Sequence, residues 1–209
     1  NCDWSSDVCS SDLIEILERL RLDGVTHVVC EISSQGLAQE RVPIPFFQVR
    51  AFTDLSEEHL DAHGSMENYF AAKKLFFLDH ERAFTTFLLD RSSWGNRLER
   101  SCQNEPIRYG LVSGSFPSVE KLMDDLDGIS IRLKVNGKME EIYSPWVGFF
   151  NAENLLCMIS ILLNRGYGLN SIQEYCRKMP TIPGRLEHIS SLRGARIYVD
   201  YAHSSQSLE

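Results

Sequence analysis

Residues 25–34 read Val25-Thr26-His27-Val28-Val29-Cys30-Glu31-Ile32-Ser33-Ser34. The run is rich in Val and Ile and lacks the polar alternation of a half-exposed strand, so it predicts a buried strand of a parallel sheet over residues 25–32. The residues before it, 14–22, place apolar side chains at roughly helical spacing, and Asp23-Gly24 ends that helix. A helix, a tight turn and a buried strand form half of a β-α-β unit. The sequence therefore predicts an α/β fold with a parallel sheet.

Further along the chain, the sequence predicts several more elements. We expect strands at 46–52 and 196–201, short antiparallel strands at 109–113, 128–135 and 139–143, and helices at 66–78, 154–164 and 171–178. Asn136-Gly137 is typical of a two-residue hairpin turn. The pattern of residues 82–90 fits either a helix or a strand. Because Pro183-Gly184 interrupts the chain, we expect a domain boundary near Arg185.

The composition indicates a globular chain and limits its partners. Of 209 residues, 43% are hydrophobic and 24% are charged, which excludes disordered and collagen-like proteins. The net charge of -8 argues against binding nucleic acid or an anionic membrane through bulk electrostatics, but it leaves room for a local basic pocket around a phosphorylated ligand. No apolar run approaches the roughly 20 residues of a membrane span. The six cysteines form no CxxC pair and predict neither a disulfide framework nor a zinc site, so a reducing cytoplasm is the default expectation.

The first 13 residues differ from the rest of the chain. Residues 3–12 alternate Ser, Asp, Trp, Val and Cys with neither helical nor strand periodicity. Their back-translation resembles a common sequencing-library adapter, so we interpret residues 1–13 as a non-native tail. The alternative is a flexible polar tail. Finding the same codons in intact genomic DNA would contradict the first interpretation.

Polar side chains with ligand-binding chemistry follow the predicted strand. Glu31 and the hydroxyls after it could hold Mg2+ and a phosphate oxygen, because Mg2+ prefers hard oxygen ligands. The alternative is a strand-ending Glu followed by a Ser that caps the next turn. Arg41 offers the fork geometry that suits carboxylate or phosphate. Residues 58–63, which include Glu58, His59, Asp61 and His63, fit either a metal cluster or a solvated helix start.

Several motifs, in order along the chain, resemble the central domain of the Mur ligase family. They are Glu31-Ile32-Ser33-Ser34 with Arg41, Thr53-Asp54-Leu55, His59-Leu60-Asp61, His63-Gly64, Met66-Glu67-Asn68-Tyr69, Ala71-Ala72-Lys73, Gly148 with Phe150-Asn151 and Asn154, Pro183-Gly184-Arg185-Leu186-Glu187, and Asp200-Tyr201-Ala202-His203. The resemblance covers residues 14–209 and is strongest to the MurE type, the UDP-N-acetylmuramoyl-tripeptide synthetases. Cyanophycin synthetase and folylpolyglutamate synthase share the scaffold, but the motifs between residues 59 and 69 favour the MurE type.

The resemblance implies a fold and a division into domains. We expect an incomplete Rossmann-like parallel sheet of the P-loop NTPase type with flanking helices, a small antiparallel sheet, and the start of a second α/β domain. Residues 14–185 would be the central ATP-binding domain without its P-loop, and residues 186–209 the start of the C-terminal domain. Without the strand and helix around the P-loop, the parallel sheet should have an exposed edge that favours aggregation.

The resemblance also implies an activity and assigns roles to residues. The expected parent is a cytoplasmic, monomeric ligase of peptidoglycan synthesis that uses ATP and Mg2+ to add diaminopimelate or lysine to UDP-MurNAc-L-Ala-D-Glu through an acyl phosphate. Lys73 matches a lysine that the family carbamylates, and Glu31 matches a Mg2+ ligand. The expected contacts to UDP-MurNAc-dipeptide are Ser33, Gln39 and Arg41, and the expected nucleotide-binding residues are Asn151, Asn154, Arg185, Asp200 and His203.

The sequence departs from the family pattern at several positions. Gln35 replaces a usual His ligand, which puts a second Mg2+ site in doubt, and Asp54 and Glu58 replace a usual Asn and Asp. The Asn-x-Asp-Asp pattern is blurred at residues 89–95. No GxxGxxGK[ST]-like loop occurs, so we expect these 209 residues to be inactive. The alternative to a ligase fragment is a catalytically inactive module that binds a nucleotide sugar.

Overall fold

The computed structural model describes residues 10–78 and 83–202. Its helices are α1 (Ser10–Leu22), α2 (Ser34–Ala38), α3 (Leu60–His63), α4 (Met66–Lys74), α5 (Ser93–Glu99), α6 (Phe149–Asn164) and α7 (Leu169–Arg177). Its strands are β1 (Val49–Phe52), β2 (Thr85–Leu89), β3 (Ile107–Tyr109), β4 (Ser118–Asp125), β5 (Gly128–Val135), β6 (Lys138–Ser144), β7 (Glu187–Leu192) and β8 (Ala195–Val199). Short 3-10 helices lie at Ile44–Phe46 and Leu75–Phe77. None of the described helices is long and apolar enough to cross a membrane.

Three parallel strands form the sheet that positions the candidate site. β2 lies between β1 and β3, with Ala51 opposite Phe87 and Leu88 opposite Arg108. Four of the five residues of β2 are buried, as expected for a central strand that is covered on both faces. Because the strands run in one direction, their carboxyl ends meet at a single edge, where open α/β sheets bind ligands. The predicted parallel sheet is confirmed.

A second sheet, made of β4, β5 and β6, is antiparallel. Asn136 and Gly137 join β5 to β6 with φ angles of 50° and 79°, which is the left-handed conformation that a type I′ turn requires. Ile129, Ile131 and Leu133 alternate along β5 and are fully buried. They belong to the same apolar cluster as the buried face of α6. The predicted hairpin and the strand at 128–135 are confirmed.

Two apolar clusters stabilise the fold. The first joins β2 and β3 to the antiparallel sheet, α6 and α7, and it includes Phe87, Tyr109, Ile131, Leu155 and Ile172. The second joins β1 and β2 to α2, α4 and α5, and it includes Leu37, Phe52, Phe70, Leu88 and Leu98. Successive residues of β2 enter different clusters, because side chains alternate between the two faces of a sheet. Each face of the central strand is therefore packed against helices.

Arg50 of β1 is a charged side chain that is completely buried. Its guanidinium donates hydrogen bonds to the carbonyl oxygens of Phe47, Phe76 and Ile44, at 3.1, 2.6 and 3.0 Å. The guanidinium carbon also lies 3.6 Å from the ring centroid of Phe84. Carbonyl acceptors and the aromatic ring replace the water that this cation loses on burial. The sequence pattern does not predict this interaction, because the four partners lie at scattered positions.

Residues 25–32 do not form the buried strand that the sequence predicts. Residues 25–33 have no regular secondary structure, and Val28 and Val29 are 43% and 98% exposed. A strand is defined by its hydrogen-bonded neighbours, and in the described part of the chain β1 has a neighbour on only one side. The strand prediction is therefore wrong for this chain, although Ile32 packs against the second apolar cluster.

Three other expectations need correction, and two strands of the structure are not predicted. β3, expected as an antiparallel strand at 109–113, begins at Ile107 and pairs parallel with β2. α1 begins at Ser10, inside the segment whose sequence predicts no helix, and Asp12 in its first turn complements the helix dipole. α6 begins at Phe149, five residues before the predicted start at 154. The sequence does not predict β4 and β7, because they are largely exposed strands with many polar side chains.

Candidate functional site

Four polar residues meet where β1 and β2 end against α6, and we call them the edge cluster: Asp54, Arg91, Ser92 and Glu153. The Ser92 hydroxyl donates to Oδ1 of Asp54 at 2.6 Å. Arg91 donates from Nη2 to Oε2 of Glu153 at 2.7 Å, and its Nε contacts the other oxygen of the same carboxylate. The Glu153 side chain is 9% exposed and that of Arg91 is 48% exposed. The hydrogen bond that Arg91 donates to the Glu153 carboxylate is the main reason that the pKa of Arg91 is raised.

Lys73 lies near the predicted catalytic residue Glu31. The Nζ of Lys73 donates a hydrogen bond to the carbonyl oxygen of Ile32 at 2.8 Å. Burial lowers the pKa of the Lys73 amine, and the negative charge of Glu31 opposes part of that shift. The structure therefore brings together the two residues that the sequence predicts to act in catalysis and metal binding.

Side chains that follow Glu31 join α2 to α4. Ser33 is the N-cap of α2, and its hydroxyl accepts a hydrogen bond from the backbone N–H of Gly36 at 3.0 Å. The Ser34 hydroxyl lies 2.8 Å from Nε2 of His63, whose ring stacks on Tyr69 with the centroids 5.2 Å apart. These contacts hold the turn after Glu31 against the helix that carries Lys73.

The histidines between residues 58 and 63 act as packing residues. His59 meets the ring of Tyr69 edge-on, with the centroids 5.7 Å apart, while His63 stacks on the same ring. Burial raises the pKa of Tyr69, and the charges of Glu58 and Glu31 add to that effect. Over residues 10–78 and 83–202, no group of three or more His, Cys, Asp or Glu side chains could hold a metal ion. A metal at the Glu31 position would therefore need a ligand beyond these side chains.

The residues that the sequence predicts to bind the substrate lie in and just after α2. Gln35 is exposed on α2, and the backbone N–H of Gln39, which ends the helix, donates to its carbonyl. Arg41 is half-buried, and its backbone N–H donates to the carbonyl oxygen of Gly36 at 2.8 Å. α2 packs against α4, so the segment from Ser33 to Arg41 belongs to the same side of the molecule as Lys73.

The first turn of α6 carries two of the predicted nucleotide-binding residues. Gly148 precedes the helix with a φ of 94°, and its N–H donates to Oδ1 of Asp124 at 2.9 Å. The amide nitrogen of Asn151 donates to the carbonyl oxygen of Val147 at 2.8 Å. The amide oxygen of Asn151 is buried and has no hydrogen-bond partner within the described chain, whereas Asn154 is exposed. Asn151 therefore has an acceptor that a ligand could use.

The remaining predicted nucleotide-binding residues lie near the end of the described chain. Asp200 accepts backbone hydrogen bonds from Leu186 and Ala202, at 2.7 and 2.6 Å, so both of its carboxylate oxygens stabilise the turn. Arg185 is exposed. His203 lies outside the described residues. The structure does not bring Asp200 or Arg185 to the edge cluster by any described hydrogen bond or ion pair.

Asp90, in the segment with the blurred family pattern, accepts hydrogen bonds from the loop after β3. Its Oδ2 accepts hydrogen bonds from the Val112 N–H at 2.6 Å and the Ser115 hydroxyl at 2.8 Å. Gly110 passes directly over this carboxylate with a φ of 136°, and a Cβ there would overlap it. Asp90 therefore holds the loop after β3.

Sequence reasoning misses the pairing within the edge cluster. Arg91 and Glu153 lie in different parts of the chain, 62 positions apart, and no motif contains both residues. Arg91 belongs only to the blurred pattern at residues 89–95. A single sequence carries no local signal for such a pair.

The parallel sheet with polar residues at its carboxyl edge, followed by an antiparallel sheet on α6, defines an open α/β ligand-binding domain. Residues 10–162 match the model of the Mur ligase middle domain, so the chain belongs to the Mur ligase family.

Two relatives and a solved structure show which members of the family the chain is similar to. The chain is 30% identical over 199 residues to the UDP-N-acetylmuramoyl-L-alanyl-D-glutamate–2,6-diaminopimelate ligase of Caldanaerobacter subterraneus subsp. tengcongensis, covering 95% of this chain and 41% of the relative. It is 33% identical over 193 residues to the Geobacter sulfurreducens protein of the same name, covering 90% and 38%. A solved structure of a ligase of that name superposes with a TM-score of 0.79 at 25% identity, covering 94% of this chain and 41% of that one. The chain thus spans about two fifths of the length of these relatives.

Proposed function

We propose that the chain is the central part of an ATP-dependent ligase that adds the third residue to UDP-MurNAc-L-Ala-D-Glu. The observation that carries this proposal is the half-buried Lys73 beside Glu31, on the α2–α4 side of an α/β fold shared with Mur ligases. The names of the relatives supply the substrate class. They favour diaminopimelate over lysine as the added residue. We place the parent protein in the cytoplasm as a monomer, as the family resemblance implies.

In this proposal, Lys73 becomes a metal ligand by carbamylation. The ammonium group of Lys73 first loses a proton, and the neutral amine then attacks carbon dioxide and loses a second proton to become a carbamate, so a cation is converted into an anion. The lowered pKa of Lys73 favours the neutral amine that this step requires. Glu31 and the carbamate would then supply the hard oxygen ligands that Mg2+ prefers, with the amide oxygen of Gln35 as a weaker third ligand. Mg2+, when bound, would neutralise charge on the ATP phosphates.

The substrate and the nucleotide would be held by separate groups of residues. Ser33, Gln39 and Arg41 would hold UDP-MurNAc-dipeptide, since they lie together in and after α2. Asn151 would accept a hydrogen bond from the nucleotide through its buried amide oxygen. The other proposed nucleotide contacts are Asn154, Arg185, Asp200 and His203.

The reaction proceeds in two steps that need positioning more than covalent catalysis. The substrate carboxylate attacks the γ-phosphorus of ATP, which forms an acyl phosphate and releases ADP. The amine of the incoming amino acid then attacks the acyl carbon, expels inorganic phosphate and loses a proton. Residues of this chain would orient the carboxylate and stabilise the developing charge.

A phosphate-release assay tests the proposal. The 209 residues contain no glycine-rich phosphate-binding loop. We therefore expect that, in the presence of Mg2+, they do not convert ATP, UDP-MurNAc-dipeptide and diaminopimelate into products. We expect the chain to bind UDP-MurNAc-dipeptide, and Arg41→Gln to weaken that binding. Arg100→Gln, which changes an exposed arginine at the end of α5, is the matched control. Turnover would contradict the expected inactivity, and failure of the unaltered chain to bind the dipeptide would contradict the substrate assignment.

A second candidate function is a module that binds a nucleotide sugar without catalysis. Recovery of the upstream gene separates the two functions. A glycine-rich loop with Lys followed by Ser or Thr supports the ligase, and its absence supports the binding module.

A further inference from the structure

His63 contacts two elements that carry residues of the candidate site. Its Nε2 lies 2.8 Å from the hydroxyl of Ser34, the first residue of α2, and its ring stacks on Tyr69 of α4 with 18° between the ring planes. Ser34 is 3% exposed, so its hydroxyl has little access to water. Within the described residues, the hydroxyl makes no hydrogen bond other than the one to His63. The burial of Ser34 therefore depends on that bond.

His63 is attached to α4 by contacts that do not involve α2. Its carbonyl oxygen accepts a hydrogen bond from the side-chain amide of Asn68 at 2.9 Å. Tyr69, on which its ring stacks, is 7% exposed. Because Lys73 follows Tyr69 by four positions, the two side chains lie on the same face of α4. The ring of His63 is thus fixed relative to the face of the helix that carries Lys73.

The amine of Lys73 reaches the turn after Glu31 through the backbone. Its Nζ donates to the carbonyl oxygen of Ile32 at 2.8 Å, and within the described residues no hydrogen bond or ion pair joins it to the Glu31 carboxylate. Ile32 lies two positions before Ser34. The separation between the amine and the carboxylate is therefore set by the segments that carry them.

We propose that His63 is a positioning residue for the Lys73 amine. It acts through Ser34, whose hydrogen bond to the ring holds the carbonyl oxygen of Ile32 where the amine can donate to it. The inference rests on the proposed carbamylation of Lys73. A carbamate nitrogen keeps one hydrogen, so it can still donate to Ile32. A fixed carbonyl then orients the carbamate, as hydrogen-bond partners commonly orient the ligands of a metal.

Two single variants and their combination test the role of this hydrogen bond. His63→Phe keeps a ring that can stack on Tyr69 but cannot bond to Ser34, and Ser34→Ala removes the same bond from the other side. Carbon-13 NMR in labelled bicarbonate at constant pH measures the equilibrium constant for carbamate formation at Lys73. Each variant should lower this constant at least about fivefold. The double variant should lower it no further, because both changes remove one bond.

A rescue variant and a control separate this role from the loss of any buried contact. His63→Gln supplies an amide that can bond to Ser34, and it should keep the constant within about twofold of that of the unaltered chain. Ser115→Ala is the matched control, since Ser115 is also buried and its hydroxyl donates to Oδ2 of Asp90 at the same distance of 2.8 Å. It should leave the carbamate constant unchanged.

Nuclear Overhauser effects between the side chain of Lys73 and Ile32 measure the same placement without a carbamate. They should weaken at least about twofold in His63→Phe and Ser34→Ala and stay unchanged in Ser115→Ala. If the unaltered chain forms no carbamate, the carbamylation step of the proposed function is wrong. The Overhauser effects then decide the role of His63 by themselves.

Four results would overturn the inference. They are Overhauser effects that His63→Phe and Ser34→Ala leave unchanged, losses of carbamate that add in the double variant, an equal loss in Ser115→Ala, and a loss in His63→Gln as large as that in His63→Phe. The third result would indicate that general destabilisation lowers the carbamate. The fourth would indicate that the bond to Ser34 is not the contact through which His63 acts.

Discussion

Lys73 combines a half-buried position with a hydrogen bond to a backbone carbonyl and a nearby carboxylate. Its lowered pKa means that the amine loses its proton at a lower pH than an ordinary lysine, whose pKa is 10.5. The fraction of neutral amine, and with it the carbamate, should therefore increase as the pH rises from about 6 to about 8.

Carbon-13 NMR with labelled bicarbonate measures this carbamate directly. We expect a carbamate signal from the unaltered chain, its loss in Lys73→Met, and its retention in Lys74→Met, which alters the adjacent half-buried lysine. A signal that persists without Lys73, or that depends on Lys74, would show that the lowered pKa does not select the reactive lysine.

Gly110 is required by a close approach between the backbone and a side chain. Its φ is 136°, and a Cβ would overlap the carboxylate of Asp90, which is fixed by the loop after β3. Gly110→Ala should therefore lower the free energy of unfolding by about 3 kcal/mol or more, since the backbone strain and the displaced carboxylate both contribute.

Gly194→Ala separates these two contributions. Gly194 has a φ of 84°, but apart from its two chain neighbours no described residue has an atom within 4 Å of the position of its Cβ. This control should cost only about 1 kcal/mol, from backbone strain alone. Urea denaturation measures both values, and equal losses would mean that the approach to Asp90 contributes nothing to stability.

Among the contacts between elements, the ion pair in the edge cluster fixes α6 against the end of β2. Because the Glu153 side chain is largely buried, it relies on Arg91 to replace its hydration. Glu153→Gln keeps the shape of the side chain and removes its charge. We expect a loss of about 1–2 kcal/mol in the free energy of unfolding, since Arg91 is half-exposed and regains water.

The pair between Arg97 and Glu67 offers a matched comparison. It has the same two-bond geometry, with distances of 2.9 and 2.7 Å, but both side chains are exposed. Glu67→Gln should leave the urea midpoint nearly unchanged. A shift as large as that of Glu153→Gln would indicate that burial does not determine the contribution of these pairs.

The elements that the sequence predicts well are those whose signal is local. Asn136-Gly137 determines a hairpin by its own turn geometry, and the buried side chains of β5 alternate in the sequence as they do in the structure. The run at 25–32 has an equally clear pattern, but a strand also needs a neighbour. Its pattern describes a covered position that the described chain does not provide.

The candidate site also contains residues that the sequence predicts and residues that it does not. Motif resemblance alone groups Glu31, Ser33 and Lys73 into one site, and Lys73 donates a hydrogen bond to the carbonyl oxygen of Ile32, which lies between the other two residues in the sequence. The motif resemblance cannot predict the hydrogen-bond and ion-pair partners of residues that depart from the motif. Arg91 and Asp54 occupy such positions, and their contacts with Glu153 and Ser92 depend on how three elements pack.

On the scale of the whole molecule, the hairpin of β7 and β8 has few attachments to the rest of the described residues. Arg196 contacts Asp127 and the carbonyl of Leu126, and Leu186 packs so close to Gly148 that a Cβ there would lie 2.5 Å from it. Nearly all side chains of the hairpin are exposed. A unit held by so few contacts opens at a low cost in free energy, so the chain between α7 and β8 should be the first to be cleaved by a protease.

Limited digestion with trypsin tests this expectation and the proposed domain boundary near Arg185. We expect early cuts at Arg185 and Arg193, both exposed, and a resistant fragment that retains the two sheets before α7. Arg196→Gln removes the ion pair to Asp127 and should speed those two cuts without changing others. Arg132→Gln breaks a surface pair with Glu141 on the antiparallel sheet and should leave the pattern unchanged. If the first cut falls between residues 107 and 146, or if the chain resists digestion as one unit, the boundary is misplaced, because the cooperative unit would then extend through the hairpin.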